Sequence, residues 1–266
     1  MRTCERHRIW TCGLAALVWL TTTAGARAQR EDLIVQTSAQ TVRELVRDPY
    51  RGVPREVLNS AQGVIVIPNM LQAGFVFGAR VGRGVVLVRD TSTGAWSNPF
   101  FIRMTGGSFG LQAGANANSM LLIFRERRTI DRFLMGLNKL TFGADASYAL
   151  GPTGAGVGAK TDPSLQADIL LYSRTRGLFA GAAIGGAIAR VDHRANWSFY
   201  GMNATSKEIV ENVEGLSIPS AVDTLKTELL GPDADEEEPE SKTPARPSDD
   251  GPIIEPRPGF EPDRSN

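Results

Sequence analysis

Twenty-two of the 28 glycines lie between Gly52 and Gly201. Several interrupt runs that otherwise read as strands, among them Gly74, Gly78, Gly143, Gly181 and Gly185. Glycine inside a strand costs stability unless it permits a bend, a bulge or a close backbone approach. Repeating that cost along a chain points to a strongly curved or closed antiparallel sheet. An outer-membrane barrel shares the look. Against it stand an aromatic content of 7%, apolar runs of unequal length and a polar final stretch.

The expected fold class is mainly β with flanking helices (α+β), the sheet preceded by N-terminal amphipathic helices. Val35, Ala39, Val42 and Val46 fall at helical spacing, with Ile34 and Leu45 widening the stripe. Asp48-Pro49 ends this helix, and a short second one starts at Pro54. "GVIVIP" from Gly63 is a strand buried on both faces. "AGFVFGAR" and "GVVLVRD" follow as strands separated by Val81-Gly82-Arg83, then a "TSTG" turn, "WSNPFFIRM" and "SMLLIF". A helix is expected over 125–138, where Ile130, Phe133, Leu134 and Leu137 recur at helical spacing. Residues 140–150 alternate strictly between apolar and small or polar, the clearest strand signal in the chain. "ADILLYSR" and "GLFAGAAIGGAIARVD" add further strands. Glu208 to Asn212 and Ala221 to Leu230 read as closing helices. No regular strand–helix–strand alternation is present, which argues against a parallel sheet.

Charge divides the chain. The formal total is zero, but residues 29–230 hold 21 bases and 17 acids, whereas 231–266 hold 4 bases, 11 acids and eight prolines. The second segment reads as a disordered acidic tail. Residues 1–28 read as a secretory signal peptide: Arg2, Arg6 and Arg8, then apolar Ile9 to Leu20, then Ala26-Arg27-Ala28 before the expected cleavage. The domain expected between them is 29–230. Both cysteines, Cys4 and Cys12, precede the cleavage point, so an exported, periplasmic or extracellular domain would fold without a disulfide.

Three glycine-rich motifs fail as nucleotide sites. "GAGVGAKT", Gly154 to Thr161, has Ala159 where a phosphate loop needs glycine, and Asp162-Pro163 blocks a following helix. Its looser dinucleotide fingerprint follows an alternating strand rather than a buried one. "GGSFG", Gly106 to Gly110, reads as a wide turn between strands. Catalytic groups are sparse. The expected mature chain has no thiol, one histidine (His193, read as a loop or strand-end residue) and no serine elbow, and nothing in the spacing of Asp145, Asp162, Asp168 and Asp192 makes them converge. No enzyme, cofactor or metal is expected.

Several long segments, in order, resemble the SYLF family of lipid-binding domains: "VPREVLNSAQGVIVIP", "AGFVFGARVGRGVVLVRD", "GAWSNPFFI", "GGSFGLQAGA" and "YSRTRGLFAGAAIGGAIARVD" with "NWSFYG". The likeness covers roughly residues 33 to 228. It implies a non-enzymatic module that binds membrane lipid, phosphoinositides in eukaryotic members, some of which also bind actin. In those members an N-terminal amphipathic segment and basic residues are implicated. The matching positions here are Arg43, Arg47, Arg51 and Arg55 on the N-terminal helices and Arg174 and Arg176 in "YSRTRG". The four N-terminal arginines also read as a solvated face paired with Glu44, Asp48 and Glu56. An export signal makes actin an unlikely partner and a general anionic phospholipid the expected one, at a membrane surface. No nucleic-acid partner is expected. The alternative is a structural or envelope-interaction protein of the same fold without a specific ligand.

Overall fold

Pro68 sits in the middle of the first strand, where it can donate nothing to a ladder. The chain resolves this with a bulge. In the computed structural model, which describes residues 29–48, 52–74, 77–109, 114–151, 167–177, 184 and 186–231, strand β1 (Gly63–Gly74) shifts register on both sides around Ile67 and Pro68. The freed Pro68 carbonyl accepts from Ser119 Oγ at 3.1 Å. The strand therefore continues past the "GVIVIP" run.

Helix α1 (residues 29–46) and α2 (Arg55–Asn59) precede β1. Then come β2 (Phe77–Val88), β3 (Phe100–Phe109), β4 (Gly114–Phe124), α3 (Arg127–Arg132) with a wide helical turn over Phe133–Leu137, β5 (Lys139–Thr141), β6 (Tyr148–Leu150), β7 (Ile169–Gly177) and β8 (Ile188–Val191). The chain closes with α4 (His193–Tyr200), α5 (Ser206–Val210) and α6 (Ala221–Leu230). All eight strands form one sheet in the order β5-β8-β3-β2-β1-β4-β7-β6. Every pairing is antiparallel except β6 with β7, which is parallel. The sheet is therefore mixed.

Three sequence expectations are corrected. The alternating stretch 140–150 is not one strand. Gly143 takes φ +88°, Asp145 Oδ2 accepts from the Thr141 amide at 2.7 Å, and the chain turns between β5 and β6. Val81-Gly82-Arg83 does not separate two strands: β2 runs straight through. A Cβ on Gly84 would lie 2.1 Å from the Val66 carbonyl oxygen, so the glycine is what lets β2 follow the bulge. Gly106 and Gly107 are not a turn either. They pair with Arg80 and Ala79 inside β3. The segment 154–161 lies outside the described residues, as do 1–28 and 232–266.

The sheet is curled. β5 and β6 occupy opposite edges, yet only residues 142–147 connect them. Seven chain steps reach at most ~24 Å, whereas a flat eight-strand sheet spans ~34 Å. Consistently, Tyr148 of β6 acts electrostatically on Arg80 of β2, four strands away in the sheet order. The two side chains face each other across the concave interior. Cross-strand partners share a face, so register sorts the two sides. Met104, Gly82, Met70 and Asn118 lie inward; Thr105, Val81, Leu71 and Ala117 lie outward. α3 and the wide turn pack inward, Ile130 against Gly63 and the Phe133 ring 5.8 Å from Phe100.

On the outer face lie α1 and α4. Val35, Ala39 and Val42 are buried in the core. The amphipathic stripe of α1 is thus spent on the sheet. Burial of each such valine stabilises the domain by about 1.5–3 kcal/mol. α4 sets Phe199 edge-on to Phe101 at 5.0 Å, and its Asn196 Oδ1 accepts from the Phe101 amide at 2.7 Å. His193 is the first residue of this helix rather than a loop residue.

Candidate functional site

Helix α1 crosses the outer face diagonally. Glu31 near its start pairs with Arg83 of β2 at 2.8 Å, and Glu44 near its end meets Arg174 of β7 at 3.5 Å. Thirteen helical residues span ~20 Å, enough to cross the three strand steps of ~14 Å between β2 and β7. Beside the helix the strands end in a groove of about 590 Å³. Leu33 and Ile34 of α1 face Leu71 of β1 and Val81 of β2 across it. Leu33, Leu71 and Val81 are 57%, 52% and 48% exposed, an unusual outlay of apolar surface for one place. Arg30 and Arg83 stand at its rim and Glu44 closes its far end. The arrangement offers an apolar trough lined also by exposed Arg30 and by Arg83, which is ion-paired to Glu31 and Asp192.

The sequence-predicted residues divide. Arg43, Arg47, Arg55 and Arg174 are exposed. Arg43 does not pair within its own helix. Glu228 of α6 accepts from it at 2.6 Å, and this hydrogen bond and charge hold the Arg43 guanidinium above its ordinary range. Arg174 meets Glu44, one residue from Arg43, so β7 and the end of α1 are brought together. Arg55 lies next to Gly231 at the end of α6. Arg176 occupies a register position opposite Ala117 in β4, two residues from Arg174, which pairs with Ser119. Arg51 lies outside the described residues. For Arg43 the partner is thus a distant carboxylate on α6 rather than Glu44, Asp48 or Glu56.

Of the four aspartates, Asp145, Asp168 and Asp192 each have structural partners, and Asp162 lies outside the described residues. Asp145 caps the turn at Thr141, and Asp192 caps α4 while contacting Arg83 and Arg103. Asp168 accepts from the Ser147 hydroxyl and amide, and that, with Arg128 and Arg132 nearby, holds its carboxyl below the usual range. Among the described residues no group of three potential metal ligands occurs. Burial pushes the Tyr200 hydroxyl up, where it donates to the Pro99 carbonyl as a structural anchor. The groove's apolar members Leu33, Leu71 and Val81, and the rim residues Arg30 and Arg83, were missed by sequence reasoning. Their signal was present only as apolar residues in the polar slots of β1 and β2.

Residues 105–230 match the family model Ysc84, described as Las17-binding protein actin regulator. The chain carries a SYLF-family domain. Among curated relatives, Protein YSC84 of Saccharomyces cerevisiae is 33% identical over 175 residues, 65% of this chain and 36% of that protein. LAS seventeen-binding protein 3 of the same species is also 33% identical over 175 residues, 65% of this chain and 37% of that protein. SH3 domain-containing YSC84-like protein 1 of Xenopus laevis is 32% identical over 155 residues, 58% of this chain and 45% of that protein. The SYLF chain thus spans less than half the length of these relatives. No solved structure matches it. The outer-face trough and its cations are the SYLF domain's candidate site, and a binding role agrees with a family described by what it binds.

Proposed function

We propose that this SYLF domain is a non-enzymatic module that binds anionic phospholipid surfaces through the outer face of its curled sheet. One observation carries the reading: Leu33, Leu71 and Val81 converge, exposed, in a groove rimmed by Arg30 and Arg83. An apolar trough accepts acyl chain or the upper hydrocarbon region. Cations at its edge gain about 1 kcal/mol each near an anionic membrane. Arg43, Arg47 and Arg174 extend the basic rim along α1, with Arg51, Arg55 and Arg176 as further contributors. The amphipathic stripe of α1 supports the sheet in this reading, and the helix meets lipid with its Leu33 side. Export through residues 1–28 to a periplasmic or extracellular membrane surface belongs to the same proposal.

Sedimentation with phosphatidylcholine vesicles, with and without phosphatidylserine, tests it. Binding is expected only to the anionic vesicles and falls steeply with salt, since screening shortens electrostatic reach to about 8 Å at physiological ionic strength. Equal binding to both vesicle types, or none, sinks the lipid reading. A second reading, an interaction protein that takes a protein ligand in the same trough, is favoured by the family description and by relatives named for binding LAS seventeen. Absence of vesicle binding with an intact fold would turn attention to it.

A further inference from the structure

Four cations stand in direct cross-strand register on the outer face. Arg83 of β2 pairs in register with Arg103 of β3, Arg103 with Arg190 of β8, and Arg190 with Lys139 of β5. Neighbouring strands lie ~4.8 Å apart, so the row spans ~14 Å across four strands. Like charges directly opposite each other destabilise a sheet. Folding supplies compensation at one end only. Glu31 and Asp192 serve Arg83, and Asp192 also reaches Arg103 at 3.3 Å. Arg190 and Lys139 are exposed and have no carboxylate partner among the described residues.

The row continues onto α4. That helix buries Ala195 and Phe199 toward the outer face of the sheet, at Phe101, two residues from Arg103. Its opposite side therefore points outward, as the row does, and presents exposed His193, Arg194 and Trp197. Trp197 is 53% exposed, whereas Trp96 is buried. An exposed indole on the same outer side as a row of cations, two of them without a carboxylate, is the composition of a surface that sits at a lipid headgroup layer, ring in the interface and charges on phosphate.

We infer that the Arg103–Arg190–Lys139 row, with Arg194 and Trp197, is a second membrane-docking surface of this domain, taking the phosphate groups of anionic phospholipid. It rests on the lipid reading given above, but it is a different set of residues, on the side of α1 away from Arg174. The row and the groove share Arg83.

The test uses the full chain and phosphatidylcholine vesicles containing phosphatidylserine. Two outward charges lost at about 1 kcal/mol each translate into at least about tenfold weaker binding. Arg190→Glu with Lys139→Glu is expected to show that loss or more, with the thermal midpoint little changed, because opposition to Arg103 is relieved while one like-charge pair at 139 and 190 replaces another. Arg190→Gln with Lys139→Gln, which removes the two charges without reversing them, is expected to show that tenfold loss, less than the Glu variant. Vesicles are expected to shift Trp197 emission to the blue, and Trp197→Phe to abolish that shift. Wild-type affinity in both row variants while Arg43→Glu with Arg47→Glu loses binding would overturn the second surface and leave the lipid reading standing. No vesicle binding by the unaltered chain would overturn both.

Discussion

The two basic regions of the outer face are built on opposite principles. At the end of α1, cations and carboxylates alternate. Arg43 finds Glu228 and Arg174 finds Glu44, although the partners lie on three different elements. Across β3, β8 and β5, cations line up with one another, and acids meet them only at the Arg83 end. The first region has an evident structural role in tying α1 to β7 and α6. The second opposes folding slightly and so needs a reason outside folding. Arg43, from a run of arginines that is obvious in the sequence, thus turns out to be matched by Glu228, whereas the row of like charges is one the sequence does not display.

Breaking the support of the first region gives the largest expected effect. Val42 is fully buried beneath α1, so Val42→Ala should lower the unfolding free energy by about 2–3 kcal/mol. Chemical denaturation measures it, and the loss should not depend on salt. A smaller effect separates the regions more finely. Glu31 is largely buried against Arg83, and Glu31→Gln should cost about 1–3 kcal/mol while strengthening binding to anionic vesicles, because it uncovers Arg83 at the head of the row. Weakened vesicle binding in a folded Glu31→Gln variant would contradict the assignment of Arg83 to the binding face.

Acid titration gives a further check that should leave the comparison untouched. Asp168 has its pKa depressed in the folded domain, by the Ser147 hydroxyl first. Its contribution to stability is therefore full above the unfolded carboxylate value of about 3.9 and is lost as pH falls through the lower folded value. Asp168→Asn should flatten that acid limb in pH-dependent denaturation without changing vesicle affinity at neutral pH. The smallest effect is expected at Glu228→Gln. Arg43 lies at the surface and Glu228 is only partly exposed, so the denaturation midpoint should fall only slightly, while release of Arg43 should strengthen vesicle binding slightly.

Local signals in the sequence were read well where one element carries them. The Val35–Val42 stripe predicts α1 and its buried face, and Ala221 to Leu230 is α6. Signals that depend on pairing were not. The alternation at 140–150 continues across a turn because Phe142 and Ala146 are both buried on either side of it, so periodicity alone could not place the break at Gly143. Helix α4 was missed because its buried face includes the polar Asn196, which interrupts the apolar stripe; its caps, Asp192 and a left-handed Gly201, were the available clue. The cationic row draws on residues from four strands, and only register brings Arg83, Arg103, Lys139 and Arg190 into one line. Each does occupy a position beside buried neighbours, as Arg103 does between Ile102 and Met104.

The outer face is the core of the functional account, and adjacent residues of β1 discriminate it. Leu71 points into the groove on the outer face, and Gln72 pairs in register with Arg80 and Asn116 on the inner one. Nitroxide labels placed singly at these two positions report entry into hydrocarbon through collision with oxygen and a polar relaxant. With anionic vesicles, the label at position 71 should become more accessible to oxygen and less to the polar relaxant, while the label at 72 should not change. Equal, unchanged accessibility at both positions on vesicle-bound protein would contradict membrane binding through this face.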